Sequence, residues 1–471
     1  MKTVKFGTDG WRAIMAREFT FDNLRLVVQA VASYLVEEGR NGKVVVGYDQ
    51  RFLSDKFAVE AAEVLAGNGI HVLLNDKPTP TPTTAFAIKE YGAEGALMIT
   101  ASHNPPEYNG IKFIPYYAGP ATPDITDGIE LKLHNLTFEQ VKVLPRKQAE
   151  AEGLLELINP IKPYLAHLHN LINWEYVNKT PTKVIVDPMF GAGIGYLDQF
   201  LCTSCCAVNT IHGSCDPLFG GGMPEPMGSS LQELVQKVKE SGAYLGLALD
   251  GDADRFGAVD GDGTYYSPNQ ILSLLLHHLI VNRGWSGPVA RTVATTHLLD
   301  KICEHHNLRV FETPVGFKYI AQHLLHNDCI LGGEESGGLS IRGHIPEKDG
   351  ILACLLIIEM VGYSGKSLGQ LMQELYNRYG KLISERLDVH VEPAYKPVIL
   401  AALKEYAPVK LNGQPVIERI TVDGTKLKMA NGSWVLIRPS GTEPLFRIYV
   451  EAGCREELKR LQDEVKGDLG I

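Results

Sequence analysis

The sequence predicts an α/β fold in which three similar mixed α/β domains and a C-terminal α+β domain surround a central cleft. Three observations carry this expectation. The 471 residues exceed what one hydrophobic core holds, and about 150 residues per domain gives three or four units. A strand–helix–strand plan recurs three times, each copy ending in an unusual polar loop. The last hundred residues switch to closely spaced strands with hairpin turns.

The recurring plan starts from short β-branched runs at 43–47 (KVVVG), 183–187 (KVIVD) and 288–292 (PVART). Helix-like sequence follows, at 57–66 after the first run and 298–306 after the third. A second apolar strand then delivers a polar loop. Residues 95–100 (GALMIT) run into Ala101-Ser102-His103-Asn104-Pro105. Residues 245–249 (LGLAL) run into Asp250-Gly251-Asp252-Ala253-Asp254-Arg255. Residues 329–331 (CIL) run into Gly332-Gly333-Glu334-Glu335-Ser336-Gly337-Gly338. Strands alternating with helices give largely parallel sheets, and such sheets bind ligands at the carboxyl ends of their strands, so three loops at equivalent ends face one cleft. In the tail, 385–391, 416–422, 426–429 and 433–437 read as strands, with Asp423-Gly424 and Asn431-Gly432 as turns and a charged helix from 456 to 465. The domains are expected at 1–150, 151–256, 257–370 and 371–471.

Composition narrows the function. An apolar fraction of 45% with 21% charged residues is that of a globular chain, and a formal net charge of −10 argues against a general nucleic-acid binder. It leaves an anionic small substrate open, because a few arginines and a metal outweigh a distant acidic surface. The opening MKTVKFGTDGWRAIM has no uninterrupted apolar segment of a secretion signal. The greasiest runs, 271–281 and 351–361, fall short of the roughly 20 residues a bilayer needs and read as buried helices. No membrane or nucleic-acid partner is expected, and the location is cytoplasmic. The eight cysteines do not form a disulfide framework. Cys202, Cys205, Cys206 and Cys215 offer one C-x₂-C spacing without the second pair a zinc site needs, so reduced thiols are the simpler reading.

Asp250, Asp252 and Asp254 are the clearest metal signal. Three carboxylates at alternate positions after a buried strand can close on one hard cation, Mg²⁺, Mn²⁺ or Ca²⁺. An EF-hand is excluded because its twelfth position is Gly261. Ser102 ends a buried strand where a hydroxyl can attack or carry phosphate, with His103 and Lys112 as basic neighbours. Arg438-Pro439-Ser440-Gly441-Thr442 combines a guanidinium, two hydroxyls and an unobstructed amide, the parts of a phosphate cradle; Arg447 follows. Glu334 and Ser336 suit adjacent sugar hydroxyls. Lys318, in Pro314-Val315-Gly316-Phe317-Lys318, carries no signal of its own.

Together these loops resemble the α-D-phosphohexomutases, the phosphoglucomutase/phosphomannomutase superfamily, in order and over nearly the whole chain. Thr100 to Pro105 is similar to that family's phosphoserine loop and Asp250 to Arg255 to its metal loop. Gly333 to Gly337 resembles its sugar-recognition loop and Arg438 to Thr442 its phosphate loop. Gly7-Thr8-Asp9-Gly10-Trp11-Arg12 matches the N-terminal segment whose arginine lies by the phosphoserine. The resemblance implies a mutase with Mg²⁺ held by Asp250, Asp252, Asp254 and a phosphoserine at Ser102, primed by glucose 1,6-bisphosphate. Arg12, His103 and Lys112 would serve transfer, Lys112 or His103 as base. Lys318, Glu334 and Ser336 would bind sugar, and Arg438, Ser440, Gly441 and Thr442 the non-reacting phosphate. Glu335 agrees with glucose-preferring members, so the expected reaction joins glucose 1-phosphate and glucose 6-phosphate, with mannose or glucosamine phosphates as alternatives and a metal-dependent sugar phosphatase further behind. The expected partner is a small hexose phosphate, and the chain a monomer or dimer.

Overall fold

A computed structural model describes residues 4–7, 9–440 and 444–471. Its first three sheets share one wiring. In the first, His71–Asn75, Lys43–Tyr48 and Gly95–Ile99 run parallel, and Tyr108–Pro115 returns antiparallel beside Gly95–Ile99. In the second, Ala207–Thr210, Lys183–Asp187 and Leu245–Leu249 are parallel, with Phe256–Asp260 returning. In the third, Val310–Thr313, Val289–Thr292 and Leu331–Gly333 are parallel, with Leu339–Ile341 returning. Parallel neighbours require long crossovers, and helices such as Ser54–Gly67 and Thr81–Tyr91 supply them. The antiparallel return needs only a short turn. Each polar loop is that turn, at 100–107, 250–255 and 334–338.

The expected third strand at 329–331 lies later, at Leu331–Gly333, because Gly332 and Gly333 pair with Ser340 and Leu339, Gly332 letting the helix Phe317–His326 pack close and Gly333 the helix Pro268–His277. The sheets also put the joins between units later than expected. Leu155–Ile158 pairs with His71–Asn75 in the first sheet, and Tyr265–Tyr266 is the edge of the second. Residue 370 falls inside the helix Leu368–Tyr379, whose Leu368, Met372 and Leu375 are buried in the core of the preceding units. Asp260 ties that helix's start, accepting from Gly369 N at 2.8 Å.

One apolar cluster runs from Val45 and Met98 through Leu247 to Ile357, so the first three units share a core. Its axis is the helix Gly350–Ser364, apolar on all sides and capped by Asp349, which accepts from Leu352 N at 2.9 Å. Among the described residues no single helix is long and apolar enough to cross a membrane, and this helix is bent 81° from the next. The C-terminal unit is different. Its six strands run Ile383–His390, Leu445–Ala452, Trp434–Pro439, Thr425–Met429, Gln414–Ile420 and Lys410–Leu411, all antiparallel. Leu427, Ile437, Phe446, Leu458 and Leu461 form its own core beneath the helix Arg455–Leu469. The strand Leu445–Ala452 and the helix Lys396–Glu405 are absent from the sequence reading.

Candidate active site

Ser102 follows the fully buried strand Gly95–Ile99 and is itself 1% exposed, with a left-handed φ of 50°. That conformation is costly for a side-chain-bearing residue and persists only where the surroundings enforce it. The enforcement is visible. Ser102 N donates to Thr100 Oγ1 (2.9 Å), and Thr100 Oγ1 donates to Asp49 Oδ2 (2.6 Å). Arg51, buried and 3.3 Å from Asp49, donates to four carbonyls of the loop: Ser102 (2.6 Å), Asn104 (2.6 Å), Pro105 (2.8 Å) and Tyr108 (3.1 Å). Arg12 Nη1 donates to Asn104 Oδ1 at 2.9 Å.

The loop built this way meets the second unit. Ser102 Oγ donates to Asp250 Oδ2 at 2.9 Å, across 148 residues of chain. Asp250, Asp252 and Asp254 are all buried, with ligand atoms within 4.8 Å of one another, the one such group among the described residues. The thiols of Cys202, Cys205, Cys206 and Cys215 form no comparable group there, and all eight cysteines are free. Asp252 Oδ1 and Asp254 Oδ1 are buried without a hydrogen-bond donor. Burial, then the charges of Asp252 and Asp254, push the Asp250 carboxyl well above its usual range. Such a cluster is short of positive charge.

Part of that charge comes from Lys112. Its Nζ lies 2.8 Å from Asp252 Oδ2, 3.0 Å from Asp254 Oδ2 and 2.9 Å from Asp9 Oδ2. Burial would favour its neutral form, but the three carboxylates outweigh burial and hold it as an ammonium ion. Lys112 is therefore a neutralising cation and is poorly suited to be the base. His103 is the opposite case: burial, with Arg255 and Arg12, keeps it neutral, and its Nδ1 is 3.3 Å from Ser102 Oγ. A second lysine, Lys348, reaches from the third unit to Asp9 (3.2 Å) and Asp254 (3.3 Å). Asp9 thus sits among Lys112, Lys348 and Arg12, which overcome its burial and hold its carboxyl well below the usual value.

In the third unit, Glu334 is buried and accepts from Ser336 Oγ at 2.7 Å, which presents the two side chains together. Glu335 turns to the sheet and accepts from Thr292 Oγ1 (2.8 Å) and Thr295 Oγ1 (3.3 Å). Lys318 is half-buried, and burial lowers it against the opposing charges of Asp9 and Asp127. Arg438 lies inside the strand Trp434–Pro439, opposite Arg447, rather than in the loop after it, and Glu335 acts on its charge. Ser440 is buried, its N–H bonded to Leu445 O at 3.0 Å. Gly441 and Thr442 lie outside the described residues.

Residues 3–140, 162–263 and 267–379 match the phosphoglucomutase/phosphomannomutase alpha/beta/alpha domains I, II and III, and 389–467 match its C-terminal domain. A Thermococcus kodakarensis protein named phosphoglucomutase/phosphomannomutase is 33% identical over 98% of this chain and 99% of its own. This chain belongs to the phosphoglucomutase/phosphomannomutase family. Other similar members are a phosphoglucomutase from Komagataeibacter xylinus, 29% identical over 98% of this chain and 90% of its own, and a phosphoglucosamine/phosphogalactosamine mutase from Sulfurisphaera tokodaii, 29% identical over 98% of both. A crystal structure of a putative phosphomannomutase from Thermus thermophilus superposes with a TM-score of 0.87 at 34% identity, covering 100% of this chain and 99% of that one. Members of the family are isomerases that relocate a phosphoryl group.

The first two units thus bring Ser102, His103, Arg12, Lys112 and the three aspartates into one contact network, and the charges of Lys348 and Arg255 act on Glu334 of the third. Sequence reading missed Asp49, Arg51, Asp9 and Lys348. Asp49 and Arg51 follow the strand Lys43–Tyr48 at the same ligand-facing end as the three loops, a positional signal that was there to use. Glu347-Lys348-Asp349 directly before a helix with Glu359 as its one charged residue was a second one.

Proposed function

We propose that this family member interconverts glucose 1-phosphate and glucose 6-phosphate through a phosphoserine at Ser102 and a glucose 1,6-bisphosphate intermediate. The observation that carries the reading is the bond from Ser102 Oγ to Asp250 Oδ2, 2.9 Å, which joins a nucleophilic hydroxyl to three buried carboxylates, two of whose oxygens have no hydrogen-bond donor. The cluster fits Mg²⁺: its donors are oxygens, they converge, and two of them have no hydrogen-bond donor. Asp250, Asp252, Asp254 and the Ser102 phosphate would hold the ion, which when bound supplies charge neutralisation to the transferring phosphoryl group.

The side chains account for the remaining steps. A sugar hydroxyl attacks the phosphorus of phospho-Ser102; the P–Oγ bond breaks, Oγ keeps the electron pair, and the hydroxyl proton leaves to a base. Arg12, Lys112 and Lys348 surround this point with positive charge. His103 is assigned proton exchange at Ser102 Oγ on its 3.3 Å approach. The bisphosphate reorients and returns its other phosphate to Ser102. Glu334, Ser336 and Lys318 bind the sugar in both orientations. Arg438 and Ser440, with Gly441 and Thr442, hold the phosphate that is not reacting. Free glucose 1,6-bisphosphate would prime an unphosphorylated chain. Eight free cysteines agree with a reducing cytoplasm.

Glucose is preferred because Glu335 agrees with glucose-preferring members, while the relatives themselves bear names of glucose, mannose and glucosamine mutases. The test is a coupled assay on the 1-phosphates of the three sugars, with Mg²⁺ and trace glucose 1,6-bisphosphate. Glucose 1-phosphate should turn over at least about tenfold faster than the others, and Ser102→Ala should lose at least about a thousandfold. Chelation of Mg²⁺ should abolish turnover. Equal rates would remove the glucose assignment, and an active Ser102→Ala would remove the mechanism.

A further inference from the structure

Asp423 lies in the turn between the strands Gln414–Ile420 and Thr425–Met429, and it touches two things. One carboxylate oxygen accepts from Arg438 Nε at 2.8 Å. The other accepts from the backbone N–H of Val315 at 3.1 Å, 108 residues away in the third unit. Val315 belongs to the Pro314–Lys318 segment, whose lysine the proposed function assigns to the sugar. The turn is pressed against the arginine it serves. Gly424 has φ +84°, and a Cβ there would stand 2.4 Å from Ile437 O and 3.1 Å from Arg438 Cα.

We infer that Asp423 is a positioning residue that couples the phosphate cradle to the Lys318 segment, so that grip on the non-reacting phosphate and docking of the C-terminal unit are one event. The inference deepens the proposed function and rests on its assignment of Arg438 to that phosphate. A guanidinium engaged at Nε is held in one plane and meets an anion with its terminal amino groups. The same carboxylate fixes where this plane stands relative to Lys318, because its second oxygen is bonded across the junction. The apolar part of the junction around it is small: Val293 and Ala294 pack with Trp434, Leu436 and Tyr449, and Val315 lies against them. A contact of that size docks weakly by itself, which leaves the bridging carboxylate room to set the balance.

Asp423→Asn tests this with little change of shape. The amide oxygen accepts from one donor, while the amide nitrogen, itself a donor, cannot serve the other. The KM for glucose 1-phosphate should rise about 10- to 100-fold, the size of one lost charge-assisted hydrogen bond, with kcat within about threefold of the parent. In an Arg438→Met background the same change should move KM by less than about twofold, since the effect acts through that arginine. Binding of glucose 1-phosphate, followed by the fluorescence of Trp434 at the junction, gives a readout independent of turnover, with Trp434→Phe identifying its share of the signal. A saturable change in the parent should weaken in parallel with KM in Asp423→Asn. Unchanged or lowered KM, or a fall confined to kcat, would overturn the coupling. A parent chain that binds the sugar phosphate without converting it would overturn the mutase reading alone, and the binding arm would still judge Asp423.

Discussion

Arg51 turns both terminal amino groups of its guanidinium to the serine loop, and the energetic reason is burial. Asp49 and Arg51 have no solvent-exposed side-chain surface, so each charge depends on the other and on the carbonyls and hydroxyls around it. Breaking such a pair from one side leaves an uncompensated buried charge. Arg51→Met should cost about 3–5 kcal/mol in urea unfolding, and it should also release Ser102 from its left-handed backbone. Arg51→Lys keeps the charge and cannot reach four carbonyls, so it should recover much of the stability and little of the turnover. Recovery of both would mean that charge alone matters. The place of Arg51, three residues past the strand Lys43–Tyr48 at the ligand-facing end, was legible; its four carbonyl partners were not, because an arginine there is ordinary until the loop it holds is known. Ser102, by contrast, was legible from its local sequence: a buried strand, a hydroxyl and a sharp turn.

At the scale of elements, the repeated unit is a parallel strand, a polar turn and an antiparallel return strand. The turn is short because the return strand is adjacent, and shortness makes it stiff. Two such turns meet where Gly251 lies against Ser102: a Cβ on Gly251 would stand 2.5 Å from Ser102 O, closer than real Cβ contacts come. The nearest atom is backbone, so the loops must separate rather than a side chain yield. Gly251→Ala is therefore expected to cut kcat by about a hundredfold, because transfer depends on in-line placement to within an ångström. Its melting temperature should fall by only a few degrees, as would be read by calorimetry. An alanine variant with full activity would show that the two loops tolerate separation. The parallel strands were readable from their β-branched runs, and so was the repeat. The return strands were not, since Tyr108–Pro115 and Leu339–Ile341 gain their identity from the strand beside them.

Over the whole molecule, one core is shared among the first three units while the fourth has its own, and where the fourth meets them buried polar groups stand beside a small apolar patch. Lys426 is completely buried there, its Nζ donating to Val293 O (2.7 Å), near His297 (2.8 Å) and Glu312 (3.0 Å), with the Trp434 ring 4.4 Å away. Burial and the Arg291 charge bring this lysine down to about 8. The unfolded value is about 10.4, so between roughly pH 8 and 10.4 the unfolded chain holds more protons and this lysine's contribution to stability rises with pH. Below that window the buried charge is a standing cost, partly offset by Glu312. Trp434 fluorescence should titrate with a midpoint near pH 8 and lose that transition in Lys426→Met. A pH-independent signal in the parent would remove the lysine from the account. The midpoint also bears on activity, because the unit that carries Arg438 docks through the same contacts.

Which chemical groups the loops carry was determined by the sequence itself, since three alternating aspartates or a serine behind an apolar strand are set by local pattern, whereas Ser102 meets Asp250 across 148 residues. Arg51, Asp9, Lys348 and Asp423 acquired a function only in the tertiary structure, where Lys348 meets Asp9 across 339 residues and Asp423 meets Val315 across 108. Short-range pattern encodes which groups a loop carries. Long-range packing decides which charges are buried together, and electrostatic strength depends on that burial far more than on residue type.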